Sequence, residues 1–484
     1  MLIYNSLTRS KDAFVPLNGK RVTIYSCGPT PYDYSHIGHA RGCILWDVIT
    51  RYLKFRDYEV VLVRNITDIE DKIINRAKKL GIRPEQVARK FLFEFWRDMD
   101  ALNVQPPDFE PRATEYLSQM IDFVAGLIER GHAYPSYGDV YFDVASAASY
   151  GKLTKQSLEE MLVGSRDQVL LQSELEERKK NAADFALWKG SKDGEPGWSS
   201  PWGFGRPGWH LECSTMIKSI LGETIDLHGG GEDLLFPHHE NEIAQSEGLH
   251  AKPLARFFVH HSFVQVNSEK MAKSTGNFTT IREILKDYAA DDIRLFLLQT
   301  HYRNPIDFSS EGLSAARTAG QRLAKIASLA APIDLGERNG DGRKQDLVAN
   351  SPADKPSDKA LDAAIAKLDG EFIEAMDNDF NTAIATAALF NFAEIVSKES
   401  DQTRKQVLGT ALRKYANILG LSLSDTRKHV DSHTAAKLVD LTLQIRAQSK
   451  LNKDYATSDL IRAELTKYGI TVMDTATGST WEAS

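Results

Sequence analysis

Arg21-Val22-Thr23-Ile24-Tyr25-Ser26 runs into Cys27-Gly28-Pro29-Thr30-Pro31, and a helical segment follows from about Gly38 to Lys54. The first six residues include the β-branched and aromatic types that fit a pleated strand. The Gly and Pro cluster then punctuates it as a turn. Glu59-Val60-Val61-Leu62-Val63 gives a second apolar strand signal, after which Ile69, Ile73, Ile74 and Ala77 fall at helical spacing. Strand, helix, strand, helix predicts a doubly wound parallel sheet of the Rossmann-like α/β class.

Outward from this stretch the texture changes. Residues from about 106 to 205 hold an amphipathic helix near Thr114 to Arg130, a strand at Asp139 to Val144 and a charged run from Glu174 to Lys180. They read as an insertion between two halves of one catalytic domain. The α/β pattern resumes at Thr224-Ile225-Asp226-Leu227-His228, which leads into Gly229-Gly230-Gly231. A helix is expected from about His238 to Gln245, and a strand at Phe263 to Val266. Beyond about Leu313 the pattern is helical, with runs at Leu361 to Met376 and Thr382 to Ser397. The polar stretch from Leu335 to Lys359 reads as an exposed loop. A last unit spans about His433 to Ser484, its helix placing Leu460, Ile461, Leu465 and Tyr468 on one face before a C-cap glycine, Gly469. The expected division is a catalytic domain over 1–312, with the insertion at about 106–205 and a lysine-loop region at about 250–312. A helical bundle over 313–425 and a small α+β unit over 426–484 complete it.

At 484 residues the chain is long enough for roughly three domains. Its formal net charge of -7 excludes a strongly basic nucleic-acid coat, and 42% hydrophobic residues exclude disorder. Three cysteines, Cys27, Cys43 and Cys213, are too few for a disulfide framework and suit a reducing compartment. No basic segment followed by an apolar one opens the sequence, and no uncharged apolar run reaches the ~18 residues of a membrane helix. A cytoplasmic protein that does not enter membranes is expected.

Three constellations carry chemistry. His36-Ile37-Gly38-His39 lies at the start of the first long helix. Helix N-termini suit phosphate, and two imidazoles there can donate to phosphoryl oxygens as charge develops; Gly38 would let a nucleotide approach the backbone. Taken alone, the tetrapeptide fits a surface loop equally well. Lys270-Met271-Ala272-Lys273-Ser274, before Thr275-Gly276-Asn277, can close over a polyphosphate or can be a solvated basic loop. Third, Cys213 stands with His238, His239, Glu240 and Glu242. His238 and Glu242 share a helical face, with His239 and Glu242 the competing pair. Adding Cys27 gives a soft and borderline donor set suited to Zn²⁺, although free cysteines are also commonly small buried hydrophobes.

Together these stretches resemble the cysteinyl-tRNA synthetases, a family of class I aminoacyl-tRNA synthetases. The resemblance runs from Cys27-Gly28-Pro29-Thr30-Pro31-Tyr32-Asp33 into His36-Ile37-Gly38-His39, and through Arg64-Asn65-Ile66-Thr67-Asp68-Ile69-Glu70-Asp71-Lys72. It continues in Arg206-Pro207-Gly208-Trp209-His210-Leu211-Glu212-Cys213-Ser214, in His228-Gly229-Gly230-Gly231 and in Phe236-Pro237-His238-His239-Glu240-Asn241-Glu242, and then in the lysine loop. Met376-Asp377-Asn378-Asp379-Phe380-Asn381-Thr382 and the closing segment Ser458 to Trp481 are similar to the family's later regions, so nearly the whole chain is covered. Ala272 departs from the serine often found at that place.

The resemblance implies formation of cysteinyl-adenylate from L-cysteine and ATP, Mg²⁺ travelling with the nucleotide, and transfer to the 3′-terminal ribose of tRNA(Cys). It implies His36, His39, Lys270 and Lys273 as catalytic residues, with His36, Gly38, His39, Gly229, Gly230 and Lys273 around ATP. Gly28, Thr67, Trp209 and Asp233 would bind the amino acid. One Zn²⁺ per chain would be held by Cys27, Cys213, His238 and Glu242. Serine differs from cysteine only by oxygen for sulfur, and a plain pocket separates such isosteres by about 10²-fold. A metal that takes the thiolate selects on softness instead. Four protein ligands ordinarily close a zinc site, while catalysis keeps a position open, so either Glu242 binds loosely or the ion expands to five ligands. The enzyme is expected to act as a monomer. Two rival readings are a cysteine ligase that uses an amino-sugar acceptor and an inactive paralogue that binds tRNA or zinc. The C-terminal unit argues against the first, and the intact histidines and lysines against the second. From Asp425 to Ser484 there are eight basic and eight acidic residues, so charge does not announce the RNA partner.

Overall fold

The computed structural model describes residues 1–156, 178–192, 194–266, 269–270, 279–330, 358–423, 432–475 and 478–483. Four strands form the central sheet in the order Ala255–His261, Ile225–Gly231, Arg21–Ser26 and Glu59–Arg64, each neighbouring pair parallel. Val22, Ile24, Tyr25, Leu227 and Phe258 are buried, as a parallel sheet covered on both faces requires. The chain passes from Arg21–Ser26 through the helix Ile37–Phe55 to Glu59–Arg64 on one side, and later returns to Ile225–Gly231 on the other. This reversal opens a crevice at the carboxyl ends of the two middle strands, where open α/β sheets bind their ligands.

Some boundaries differ from expectation. The strand expected to end at His228 continues to Gly231, because its pairing with Ala255–His261 runs on through all three glycines. The helix expected from His238 is Glu240–His250; Leu235–His239 is a wider turn in front of it. Ile69 precedes its helix, Asp71–Leu80, which begins after an N-cap at Glu70. The insertion contains the helix Leu117–Glu129 and a five-stranded antiparallel sheet whose last strand, Gly203–Pro207, runs past the expected boundary at 205. Of those strands the sequence pattern announced only Asp139–Phe142; the others are short or rich in Gly, Trp and Ser. Residues 174–177 and most of the stretch 335–359 lie outside the described residues.

The later helices, Ser310–Ala327, Lys359–Asp377, Thr382–Lys398 and Gln402–Ile418, are capped by the side chains of Ser309, Asp358, Asn381 and Asp401. Their core includes Phe372, Leu389, Leu412 and Tyr415, and it packs on the first long helix through Tyr52 against Phe372 and Phe55 against Tyr415, with ring centroids 6.5 and 5.9 Å apart. Asp379 is wholly buried and accepts from Tyr4 N (2.9 Å), the Tyr302 hydroxyl (2.6 Å) and Arg303 Nε (2.8 Å).

Two compact units result: Met1–Leu285 with Ala289–Ser424, and Asp425–Ser484 with Lys286–Tyr288. The second has helices Ser432–Leu451 and Tyr455–Lys467 and a hairpin, Ile470–Thr475 with Gly478–Ala483. Val439, Leu443 and Val472 form its core, with Leu465, Ile470 and Trp481 packed against them. Gly469 takes a left-handed φ of 76° after the helix, as expected of a C-cap glycine. The expected apolar face is narrower than its spacing suggests. Leu465 faces the core, whereas Leu460 is 59% and Tyr468 80% exposed. Among the described residues, no helix is long and apolar enough to cross a membrane.

Candidate active site and metal centre

His36 is the N-cap of the helix Ile37–Phe55. Its Nδ1 accepts from Gly38 N at 3.1 Å, and its own backbone N–H donates to His39 Nδ1 at 3.2 Å. Both Nδ1 atoms are therefore acceptors, and each neutral ring must carry its proton on Nε2. Two Nε2–H donors thus stand at a helix N-terminus, with ring centroids 4.0 Å apart, an arrangement that suits phosphoryl oxygens. A Cβ on Gly38 would lie 2.9 Å from the His36 ring, so this glycine is needed by the cap itself.

Cys27 follows the strand Arg21–Ser26, Cys213 lies on the helix Trp209–Ile220, and His238 and Glu242 flank the start of Glu240–His250. One donor atom from each of these four residues lies within 4.8 Å of the others. The sulfurs are 3.8 Å apart, Cys213 Sγ is 3.6 Å from His238 Nε2, and Cys27 Sγ is 3.7 Å from Glu242 Oε1. Two thiolates on one tetrahedral zinc at ~2.3 Å would be separated by about 3.8 Å, so the sulfur pair fits that ion. His238 Nε2 and Glu242 Oε1 stand at 2.7 Å, a hydrogen bond, and this is the contact that a shared metal would part.

A second set also converges, Cys27, His228, His239 and Glu242. It leaves out the buried Cys213 but is joined within itself, with His239 Nε2 standing 3.2 Å from Cys27 Sγ. His239 Nδ1 meets His260 Nε2 at 2.8 Å, while His228 binds Glu242 through Nε2 and the Tyr25 carbonyl through Nδ1 at 2.9 Å. Partners of this kind orient a metal-binding carboxylate from behind. The second nitrogen of His238 meets His210 Nδ1 at 2.9 Å, and Trp209 stacks on the His238 ring at 4.1 Å.

The four side chains shift one another strongly. Burial would raise both thiols; at Cys213 the hydrogen bond from Cys27 and the charge of His238 bring it down to about 7, while Cys27 stays well above its ordinary value. Burial would lower His238, yet Glu242 holds it at about 10. Burial would raise Glu242, and His238 and His228 hold it well below the usual carboxylate range.

The remaining expected residues divide. Gly28 and Thr67 follow neighbouring strands; Gly28 N donates to Asn65 Oδ1 at 2.8 Å, and the Thr67 hydroxyl to Glu212 Oε2 at 2.8 Å. Asp233 sits on the turn Glu232–Leu234, just past Gly231. Gly229 and Gly230 belong to the strand, and their lack of a side chain already serves packing: a Cβ on Gly229 would lie 1.9 Å from the Val259 carbonyl, and one on Gly230 2.7 Å from Leu234. Lys270 pairs with Gln265 in a short strand, and Lys273 lies outside the described residues. Sequence reasoning assigned no role to Asn65, Glu212, His210 or His260. Asn65, His210 and Glu212 lie in motifs already quoted, whereas no sequence signal pointed to His260.

The family model for the catalytic domain of tRNA synthetases class I (C) matches residues 13–318, and that for the DALR domain matches 371–424. A cysteine–tRNA ligase of Heliobacterium modesticaldum is 45% identical, over 99% of each chain. Those of Geobacter sulfurreducens and Thermococcus gammatolerans are each 44% identical over 99% of this chain, and over 99% and 98% of their own. Among solved structures, a Mycobacterium tuberculosis methionyl-tRNA synthetase in complex with methionyl-adenylate aligns with a TM-score of 0.56 at 18% identity, over 88% of this chain and 94% of that one. The leucyl enzyme in a ternary complex from Agrobacterium radiobacter aligns at 0.57 and 13% identity, over 84% of each. At these identities the structural matches speak to the fold.

Proposed function

The chain belongs to the cysteine–tRNA ligases, a class I synthetase family, and from that premise we propose how its residues divide the reaction. The enzyme activates L-cysteine with ATP to cysteinyl-adenylate, releases pyrophosphate and passes cysteine to the 3′-terminal ribose of tRNA(Cys). The two rival readings gain no support from relatives that match over nearly their full length as cysteine–tRNA ligases.

One observation carries the residue assignment: two sulfurs, an imidazole and a carboxylate meet within 4.8 Å in the crevice onto which the His36–His39 helix start opens. Neither chemical step needs an enzyme nucleophile, so positioning and charge stabilisation carry the rate. His36 and His39 donate through Nε2–H to the α-phosphate as negative charge builds on it. Lys270 and Lys273 neutralise the leaving pyrophosphate. Gly38, Gly229 and Gly230 line the nucleotide, and Gly28, Thr67, Trp209 and Asp233 hold the amino acid. Cys27, Cys213, His238 and Glu242 hold one Zn²⁺, whose chemistry is a soft Lewis-acid site for the substrate's sulfur. With such selection, no separate editing domain is required.

The catalytic domain spans 1–312, while the bundle, 313–425, and the unit 426–484 carry tRNA recognition. The enzyme is read as a monomer, and the free Cys27, Cys43 and Cys213 fit a cytoplasmic location. Cysteine-dependent ATP–pyrophosphate exchange, followed by acceptor assays with tRNA and with amino sugar, tests the reading. Exchange with charging of tRNA alone is expected; transfer to the amino sugar, or no exchange, overturns it.

A further inference from the structure

We propose that Asn65 is a positioning residue for the bound amino acid, acting through Gly28 and Thr67. The inference rests on the reading that those two residues line the amino-acid pocket.

Gly28 N donates to Asn65 Oδ1 at 2.8 Å. This contact fixes which way the side-chain amide points: its oxygen faces Gly28, so its nitrogen faces Thr67 and donates to Oγ1 at 3.3 Å. Thr67 passes its own proton to Glu212 Oε2 at 2.8 Å. A hydroxyl has one proton and two lone pairs. Asn65 fills one lone pair and Glu212 takes the proton, which leaves the other lone pair as an acceptor. An acceptor is what a substrate ammonium group needs.

The arrangement has little slack. Thr67 N donates to the Pro29 carbonyl at 3.2 Å, and a Cβ on Gly28 would fall 1.6 Å from the Asn65 carbonyl oxygen. Asn65, Thr67 and Glu212 are only 1%, 2% and 1% exposed. Each of these three residues is held by the next, and losing one frees its neighbours to turn. Gly28 follows Cys27 and Glu212 precedes Cys213, so the same hydrogen bonds tie together the two segments that carry the sulfurs. Asn65 itself touches neither sulfur in any contact described; its effect passes through the backbone of Gly28 and the hydroxyl of Thr67.

The test uses the full-length enzyme in cysteine-dependent pyrophosphate exchange, with KM for cysteine and for ATP measured separately. Thr67→Val keeps the side-chain shape and removes the hydroxyl. It should raise the cysteine KM about tenfold or more, as expected for one lost buried hydrogen bond, and leave the ATP KM within about twofold. Thr67→Ser, which keeps the hydroxyl, should restore the cysteine KM. Asn65→Ala should raise the cysteine KM about tenfold with the ATP KM and zinc content unchanged. The double variant Asn65→Ala with Thr67→Val should fall short of the product of the single effects, because one residue acts partly through the other. If Asn65→Ala does not fold, Asn65→Asp keeps the shape and turns the donor facing Thr67 into an acceptor, with the same shift expected. If Thr67→Val raises the cysteine KM while the Asn65 variants change only the melting temperature, Asn65 is structural and the proposal falls. If Thr67→Val leaves the cysteine KM unchanged, the pocket reading fails, and the proposal with it.

Discussion

At the residue scale, the donor set Cys27, Cys213, His238 and Glu242 rests on the chemistry of its residue types. Cys27 and Cys213 stand out because thiols are rare in this chain, and a His and a Glu four apart on a helix complete a recognisable donor set. Asn65 and Glu212 are ordinary residue types, and only the meeting of two strand ends with the helix Trp209–Ile220 gives them partners. Spacing allows both His238 and His239, and each stands in a donor set with Cys27 and Glu242. Cys213 is 2% exposed and shares its sulfur neighbourhood with Cys27, His238 and Glu242. Cys213→Ala is therefore expected to bring bound zinc from about one per chain to near zero by metal analysis, and to lower the preference for cysteine over serine in pyrophosphate exchange. The circular dichroism spectrum should be unchanged, since the sheet does not depend on one thiolate. Full zinc occupancy in both Cys27→Ala and Cys213→Ala would place the metal elsewhere.

At the element scale, three of the four parallel strands and several long helices were legible from their apolar patterning, whereas Ala255–His261 was not expected, the only strand expected nearby being Phe263 to Val266. The short antiparallel strands of the insertion were not, because three to six residues carry too little pattern to separate from turns. What fastens elements together was not legible either. Arg294, fully buried on the helix Ala290–Leu298, binds Asp47 Oδ2 on the first long helix at 2.6 Å and the carbonyls of Leu102 (3.1 Å) and Leu419 (2.8 Å). Gly420 follows with a φ of 69°, and a Cβ there would strike the guanidinium. Breaking a buried ion pair by removing one partner costs about 3–5 kcal/mol. Asp47 keeps Arg51 at 2.9 Å, so Arg294→Ala should lie toward the lower end of that range in urea unfolding. The lysine loop calls for a kinetic test. A group acting on the leaving pyrophosphate contributes more in the transition state than in the ground state. Lys273→Ala should thus lower the adenylation rate by about 10²–10³-fold, by analogy with oxyanion-hole donors, with little change in the cysteine KM. An unaltered exchange rate would make this lysine a solvated surface charge.

At the scale of the whole molecule, the question is how one chain serves both ends of a tRNA. The acceptor end must reach the crevice, and the anticodon lies far from it, so a recognition unit separated in sequence by a helical bundle suits the task. Trp481 packs on the core of the second unit and donates to Asp440 Oδ1 at 2.9 Å, so its ring is engaged within that unit. Lys467 pairs with Glu464 at 2.6 Å, while Arg462 is in reach of the Val472 carbonyl at 3.4 Å. The exposed aromatics of that unit are Tyr455 and Tyr468, at 62% and 80%. Unstacked loop bases are recognised by stacking on such rings, each worth about 1–3 kcal/mol. A chain ending at Asp431 should retain cysteine-dependent pyrophosphate exchange, because all the residues assigned to adenylation precede it. It should charge tRNA poorly and lose its preference for the wild-type anticodon over a mutated one. Tyr468→Ala in the full chain should reproduce part of that loss as a rise in the tRNA KM of roughly fivefold or more, the weaker end of one stacking contact. If the truncated enzyme kept full anticodon discrimination, the recognition surface would belong to the bundle between Leu361 and Leu421 instead.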